Sequence, residues 1–224
     1  MGTFRNVWQG LDWSFLTEIL IYIIPALVCV TIHETCHGLV AYKLGDPTAK
    51  NAGRLTLNPI RHIDVWGLIM LVVCHFGWAK PVPVDARNFK DPKRGMAITA
   101  LAGPLSNLLL AVLLLVVYGL LYVPLLYLGD VGFFLLRLIL TTAYLSTALA
   151  VFNIIPISPL DGSKVLYSVI PDKGYFTLLR YERYGMGLLM VLVVTGVLGE
   201  PLSNITGFVF DRLFMIAEWT GGLF

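Results

Sequence analysis

The sequence predicts an all-α membrane protein that crosses the bilayer several times, and its composition is the first observation behind that prediction. Of its 224 residues, 57% are hydrophobic and only 13% are charged, and the mean hydropathy is +0.79. A water-soluble domain carries about a quarter charged residues. The 16 basic and 14 acidic side chains are too few to cover a soluble protein of this length. The composition therefore excludes a soluble enzyme and a disordered chain.

Long apolar stretches are the second observation, and they predict a bundle of about four to six transmembrane helices. A helix needs about 20 mostly apolar residues to cross the hydrocarbon core. Three stretches reach this length, residues 16–42, 95–129 and 138–160. A fourth stretch, residues 184–199, is shorter. A helix over the whole second stretch would exceed the thickness of the bilayer. We therefore expect Pro104 and Pro124 to mark its usable ends.

Two further segments are expected to lie in or at the membrane without crossing it. The uncharged run over residues 65–79 is short and contains Gly67 and Gly77, which favours a re-entrant or interfacial element. Residues 203–219 carry three charged side chains, which favours an interfacial helix.

Loop charges predict the orientation of the spans. Nine of the 16 Lys and Arg residues lie between Lys43 and Arg94, after the first span. The connection at Gly129 carries none, whereas residues 171–183 carry three. Because basic loops stay in the cytosol, we expect the first and third spans to end on the cytosolic side and the N-terminus to lie outside. The basic segment over residues 87–94 is expected to face lipid headgroups.

A dense group of ionisable residues lies inside the first predicted span, in the run His33-Glu34-Thr35-Cys36-His37. Residues four apart on a helix share a face, so both imidazoles can bind one metal ion. Glu34 can then reach a metal-bound water without being a ligand. Ionisable groups in a span are expensive and usually functional, and mutually satisfied core polar groups are the structural alternative. Cys36 lies off the face of the histidines and is not expected to bind the metal.

A third metal ligand has to come from elsewhere in the chain, and Asp161 is the candidate. A catalytic zinc normally has three protein ligands and keeps a fourth position for water. Pro156 and Pro159 disfavour a continuous helix before Asp161. Broken backbone at membrane depth is tolerated only where protein or a watery cavity satisfies it. The predicted orientation places Asp161 at the depth of the two histidines, and a plain turn of Asp161 and Gly162 at a helix end is the alternative.

The pairing of HExxH in the first span with NxxPxxxxDG in the third resembles the site-2 protease family of intramembrane zinc metalloproteases. Further matching runs occupy residues 53–59, 77–84 and 102–107. The resemblance covers about residues 33–162 and implies a compact member without a PDZ or CBS domain. We accordingly expect one membrane-embedded metalloprotease domain over residues 1–224. Its catalytic core and C-terminal helices are expected over about residues 15–170 and 184–224.

The same resemblance implies which residues carry the chemistry. It implies one zinc ion per chain, held by His33, His37 and Asp161. Asn153 is implied to lie beside the scissile bond. Glu34 is implied to take a proton from a zinc-activated water and to deliver it later to the leaving amine. The substrate would be a membrane protein cut within or next to a transmembrane segment, as in regulated intramembrane proteolysis.

A small membrane-embedded β-hairpin is also implied, at residues 78–84. An unwound substrate segment could pair with its exposed edge. The alternating prolines there suit an edge strand, and a proline-stiffened loop is the alternative. Trp78, Pro81 and Val82 are therefore candidate substrate-binding residues. Asn107 joins them, because an amide buried in the membrane needs a partner.

Two other classes of function fit part of the pattern. A metal transporter or metal sensor also places His and Asp in broken helices. A transporter needs a polar path across the membrane, however, and the outer halves of the predicted spans are apolar. An inactive relative that only binds membrane helices would not need Glu34. His62 and Asp64 are expected at the interface rather than in a second metal site, and His75 as a packed polar group. The net charge of +2 gives no reason to expect a nucleic-acid partner, and the oligomeric state is left open.

Overall fold

The apolar stretches of the chain form long helices. A computed structural model describes residues 13–64, 67 and 79–222, and in these ranges the regular secondary structure is helical, without a β-strand. The α-helices are α1 (Trp13–Lys43), α2 (Thr48–Asn51), α3 (Pro92–Leu126), α4 (Asp130–Ile154), α5 (Asp161–Val169), α6 (Asp172–Val194) and α7 (Gly199–Gly221). Short 3-10 helices occupy Pro59–His62 and Ala86–Asn88.

Three of these helices, α1, α3 and α4, are long and apolar enough to cross a membrane. The end of α6 and the whole of α7 pass the same test only as a pair, bent by 86° at the break between them. The described residues therefore contain three candidate spans, or four if the bent pair is one span. Four would be the lower end of the predicted four to six, and three falls below that range. The predicted fourth span over residues 184–199 overlaps the first helix of the bent pair.

Helix α3 corrects one expectation, because Pro104 does not end it. The helix starts where the Asp91 carboxylate accepts from the N–H of Arg94 at 3.1 Å, with Pro92 at its first position, where no N–H is needed. It then runs for 35 residues with Pro104 in its interior and Pro124 near its end. A proline removes one backbone hydrogen bond, and at membrane depth packing against other helices and polar side chains compensates for the loss.

The apolar core of the bundle lies between α3, α4 and α7. Leu115, Ala143 and Ala217, one from each helix, are fully buried and contact one another. Gly119 lets α7 approach α3, because a Cβ there would lie 2.3 Å from the carbonyl oxygen of Ala217. The segment over residues 203–219, expected as an interfacial helix, thus packs into the bundle.

The predicted break before Asp161 is confirmed. Helix α4 ends at Ile154 rather than extending to residue 160, and a cis peptide bond joins Ser158 to Pro159. Gly162 then packs against the end of α4, where a Cβ would lie 2.0 Å from the carbonyl oxygen of Ile154. A glycine directly after Asp161 therefore allows the chain to turn back and place this carboxylate against the bundle.

The predicted β-hairpin is not found in the part of the chain that the structure describes. Residues 79–85 follow an irregular path without strand pairing. Trp78 and most of the predicted re-entrant run over residues 65–79, His75 included, lie outside the described residues.

The prolines of this segment give a physical reason for the missing strand. Pro81 and Pro83 have no N–H groups to donate to a partner strand. The N–H of Lys80 donates instead to the carbonyl of His62 at 3.0 Å, and the N–H of Val82 donates to the Glu34 carboxylate at 2.8 Å. These backbone donors are therefore used inside the protein.

Candidate metal centre

Three predicted ligands meet in space, although Asp161 lies 128 residues from His33 in the sequence. The Nε2 atoms of His33 and His37 lie 3.0 Å apart, and they lie 3.1 and 3.0 Å from Oδ2 of Asp161. All three residues are buried. Helix α1 places the histidines one turn apart on one face, and the start of α5 brings in the carboxylate.

The ring nitrogen of His37 that faces away from the other ligands, Nδ1, is bound by the backbone of α3. Nδ1 lies 2.7 Å from the carbonyl oxygen of Thr99, a pure acceptor, so Nδ1 carries the proton and donates it. The Nε2 atom is left with a free lone pair that points at the other two ligand atoms. This is the arrangement that metal-binding histidines adopt.

The outer nitrogen of His33 faces the side-chain amide of Asn107. Nδ1 lies 3.2 Å from Nδ2 of Asn107, and Oδ1 of this fully buried residue has no partner among the described residues. The two ends of an amide are interchangeable in shape. With Oδ1 turned toward His33, the orphaned oxygen accepts from Nδ1–H and the lone pair of Nε2 becomes free for a metal.

These atoms fit a zinc ion. Three lone pairs, two from imidazoles and one from a carboxylate, converge in a buried space where their mutual repulsion requires a cation. Two histidines and one carboxylate are a common ligand set of catalytic zinc. Cys36, half-buried with a free thiol, is not part of this group of ligands.

A glycine on α3 leaves the space that the imidazoles occupy. A Cβ at Gly103 would lie 2.4 Å from Nε2 of His37 and 2.5 Å from Cε1 of His33. Residue 103 therefore has room only for the hydrogen atom of a glycine where α3 faces the two imidazoles. Sequence reasoning missed Gly103 because nothing in its neighbourhood shows which helix covers the histidines.

The metal centre opens into a cavity of about 270 Å³ that Glu34 and Asn153 also line. Oε2 of Glu34 accepts the N–H of Val82 at 2.8 Å. Nδ2 of Asn153 donates to the carbonyl of Leu149, one turn earlier in α4, at 2.9 Å. The structure therefore brings the two predicted catalytic residues to the cavity that contains the ligands.

The predicted substrate-binding residues divide into three groups. Pro81 and Val82 line the cavity. Asn107 is fully buried behind His33 and is not part of the cavity wall. Trp78 lies outside the described residues.

Lys164 is a cation at the centre that sequence reasoning missed. Its Nζ lies 3.4 Å from Oδ1 of Asp161, the carboxylate oxygen that faces away from the histidines, and it lines the same cavity. The two residues are three apart on α5, a spacing that brings side chains together on a helix. That spacing is the signal that could have revealed it.

The segment over residues 79–88 is anchored beside the cavity by buried polar groups. Asp46 is fully buried and accepts from the N–H of Asp85 at 2.8 Å and from Nδ2 of Asn88 at 2.7 Å. Burial alone raises the pKa of Asp46, but hydrogen bonds from Thr48, Asp85 and Asn88 outweigh it and lower the pKa below its usual value. The carboxylate is therefore a stable anionic anchor.

A second anchor lies on the N-terminal side of Val82. Nη2 of Arg54 donates to the carbonyl of Lys80 at 2.6 Å. His62, which was expected at the interface rather than in a second metal site, is buried in the protein, and its Nε2 lies 2.9 Å from the carbonyl of Thr56. The bond from Arg54 to Lys80 and the bonds from Asp85 and Asn88 to Asp46 hold the chain on the two sides of Val82, whose N–H binds Glu34.

Replacing Gly103 with alanine is expected to lower zinc affinity about tenfold or more, because the new methyl group would collide with both imidazoles. The measurement is zinc bound per chain after dialysis against a graded chelator. Gly207→Ala is the matched control, since a Cβ there meets no described atom within 4 Å. Wild-type zinc affinity in Gly103→Ala would contradict the close approach of α3.

Comparison with known proteins agrees with this geometry. The profile of Peptidase family M50 matches residues 21–196. YwhC of Bacillus subtilis is 39% identical over 179 residues, which cover 77% of this chain and 80% of YwhC. Rip2 of Mycolicibacterium smegmatis is 28% identical over 204 residues, 88% of this chain and 76% of Rip2.

A more distant relative comes from an archaeon. Zinc metalloprotease MJ0392 of Methanocaldococcus jannaschii is 24% identical over 192 residues, which cover 85% of this chain and 45% of that protein. No solved structure matches the chain. The match to the family profile spans most of the sequence, and the ligand set suits zinc. The chain therefore belongs to Peptidase family M50, the site-2 protease family of membrane-embedded zinc metalloproteases.

Proposed function

We propose that this protein hydrolyses a peptide bond within or next to a transmembrane segment of a membrane-protein substrate. The observation that carries the proposal is that one cavity contains three converging ligand atoms and a separate carboxylate, Glu34. Helices long and apolar enough to span a membrane supply most of these groups. His33, His37 and Asp161 are assigned as the zinc ligands. Bound zinc supplies Lewis acidity toward the scissile carbonyl and lowers the pKa of a water molecule.

Glu34 is assigned as the general base and acid. It lines the cavity without belonging to the ligand group. The N–H of Val82 holds its Oε2, so Oε1 is the oxygen that we assign to proton transfer. A carboxylate fixed in this way can accept a proton from water and return it to the leaving amine without first reorienting.

Asn153 is assigned to bind the substrate backbone beside the scissile bond. It lines the cavity, and its Nδ2 is occupied by the carbonyl of Leu149. Substrate binding would exchange this intrahelical bond for one to the substrate. Pro81 and Val82, which line the cavity, and Trp78 are proposed to contact the substrate, whereas Asn107 is proposed to orient His33 through Nδ1.

We assign the metal centre to the cytosolic half of this multi-pass membrane protein. The basic connection after α1 supports this orientation, because loops rich in Lys and Arg stay in the cytosol. His37 lies within two turns of Lys43, the last residue of α1. The whole chain, residues 1–224, is proposed to form one domain around this site.

Changing Glu34 to glutamine is expected to lower peptide cleavage at least about 100-fold, because the amide cannot take the proton. Zinc content should stay at the wild-type level, since Glu34 is not a ligand. The assay uses purified, zinc-loaded protein in detergent and peptides derived from membrane proteins, with new N-termini identified by mass spectrometry. Cys36→Ser, next to His37 but outside the ligand group, is the control and should cleave normally. Cleavage by Glu34→Gln at the wild-type rate would overturn the proposal.

The orientation has its own test in intact cells. Asn51→Cys and Asp130→Cys place thiols at exposed positions after α1 and at the start of α4. A membrane-impermeant maleimide is expected to label the cysteine at position 130 from outside and the cysteine at position 51 only after lysis. Labelling of the wild type gives the background from the native cysteines, and the reverse pattern would contradict the orientation.

A further inference from the structure

We infer that a second cavity, next to the metal centre, binds an apolar side chain of the substrate on a residue that flanks the scissile bond. This inference rests on the proposed function and names the substrate class that the site selects. The second cavity has a volume of about 260 Å³. It shares Ala100, Asn153 and Asp161 with the cavity at the metal centre. The two cavities therefore adjoin at the proposed ligand and at the residue assigned to the substrate backbone.

The fold creates this cavity at the break after α4. Its walls come from α3, from the end of α4 with the turn that follows, and from α5. Ala100 is nearly inaccessible, with 2% of its surface exposed, and its small side chain leaves space between α3 and α5. A peptide bond held at the metal centre would thus present the side chain of one flanking residue to this space.

The walls determine what kind of side chain fits. Apart from the shared residues, the lining is apolar, with Leu101, Pro104, Ile154, Pro156, Val165 and Leu166 as its largest members. The single carboxylate in the wall, Asp161, is already engaged by two histidines and Lys164. A charged substrate side chain would lose its hydration without gaining a partner. An apolar cavity of about 150 Å³ accommodates benzene, so this one admits a leucine or phenylalanine side chain.

The test profiles cleavage of a peptide library by purified, zinc-loaded protein in detergent. For the wild type we expect Leu, Ile, Met or Phe to be preferred over Ala, Asp and Lys by roughly tenfold or more at one position flanking the scissile bond. Val165→Phe fills the cavity and should shift that preference to Ala and Gly. Leu166→Asp places a carboxylate in the wall at a residue that is 40% exposed, and it should admit Lys and Arg at the same position.

Matched controls lie on the same helix. Val169, which is 77% exposed, does not line the cavity, so Val169→Phe and Val169→Asp should retain the wild-type profile. The inference is overturned if Val165→Phe and Leu166→Asp both keep the wild-type preference while cleavage still depends on Glu34. If Val165→Phe is inactive, the profile of Leu166→Asp decides alone. Cleavage that persists in Glu34→Gln, or its absence in the wild type, would instead overturn the proposed function.

Discussion

The structure depends on one constraint, which is that three lone pairs converge in a buried space at the end of a membrane-spanning helix. Two imidazole nitrogens and a carboxylate oxygen lie within 3.1 Å of one another. Unpaired acceptors and charges are very unfavourable in such surroundings unless a cation joins them. The groups around the centre serve this arrangement. The carbonyl of Thr99 and the amide of Asn107 fix the outer nitrogens of the rings, and Gly103 leaves the rings their space.

The rest of the fold brings residues that are distant in the sequence to the metal centre. The prolines after α4 end that helix, and Gly162 allows Asp161 to turn back beneath the histidines. Asp46 and Arg54 anchor the segment that brings the N–H of Val82 to Glu34. Buried polar groups outside the metal centre therefore hold the segment around Val82 in place beside the cavity. This explains how a chain poor in charges builds a polar site. The same break that delivers the ligand also opens the apolar cavity beside it.

Local patterns were readable from the sequence, and long-range packing was not. The spacing of His33 and His37 fixes their common face by helix geometry alone, and the prolines before Asp161 predict the break. Pro104 was misjudged because its effect on α3 depends on compensation by neighbours that the sequence does not identify. The hairpin at residues 78–84 was expected from resemblance, but its described part uses its N–H groups on Glu34 and His62. Gly103 lies in the matching run over residues 102–107, but its role and that of the Thr99 carbonyl could not be read from the sequence, since both roles arise only when α3 packs on α1.

X-ray absorption at the zinc edge of the purified, zinc-loaded protein tests the central claim most directly, because it reports the atoms bound to the metal. The account predicts one zinc ion per chain with two imidazole nitrogens and oxygen ligands in the first shell. Asp161→Ala should remove one oxygen and leave both imidazoles. A zinc–sulfur distance of about 2.3 Å would show that Cys36 or another thiol binds the metal. That result, or a spectrum unchanged in Asp161→Ala, would contradict the ligand set.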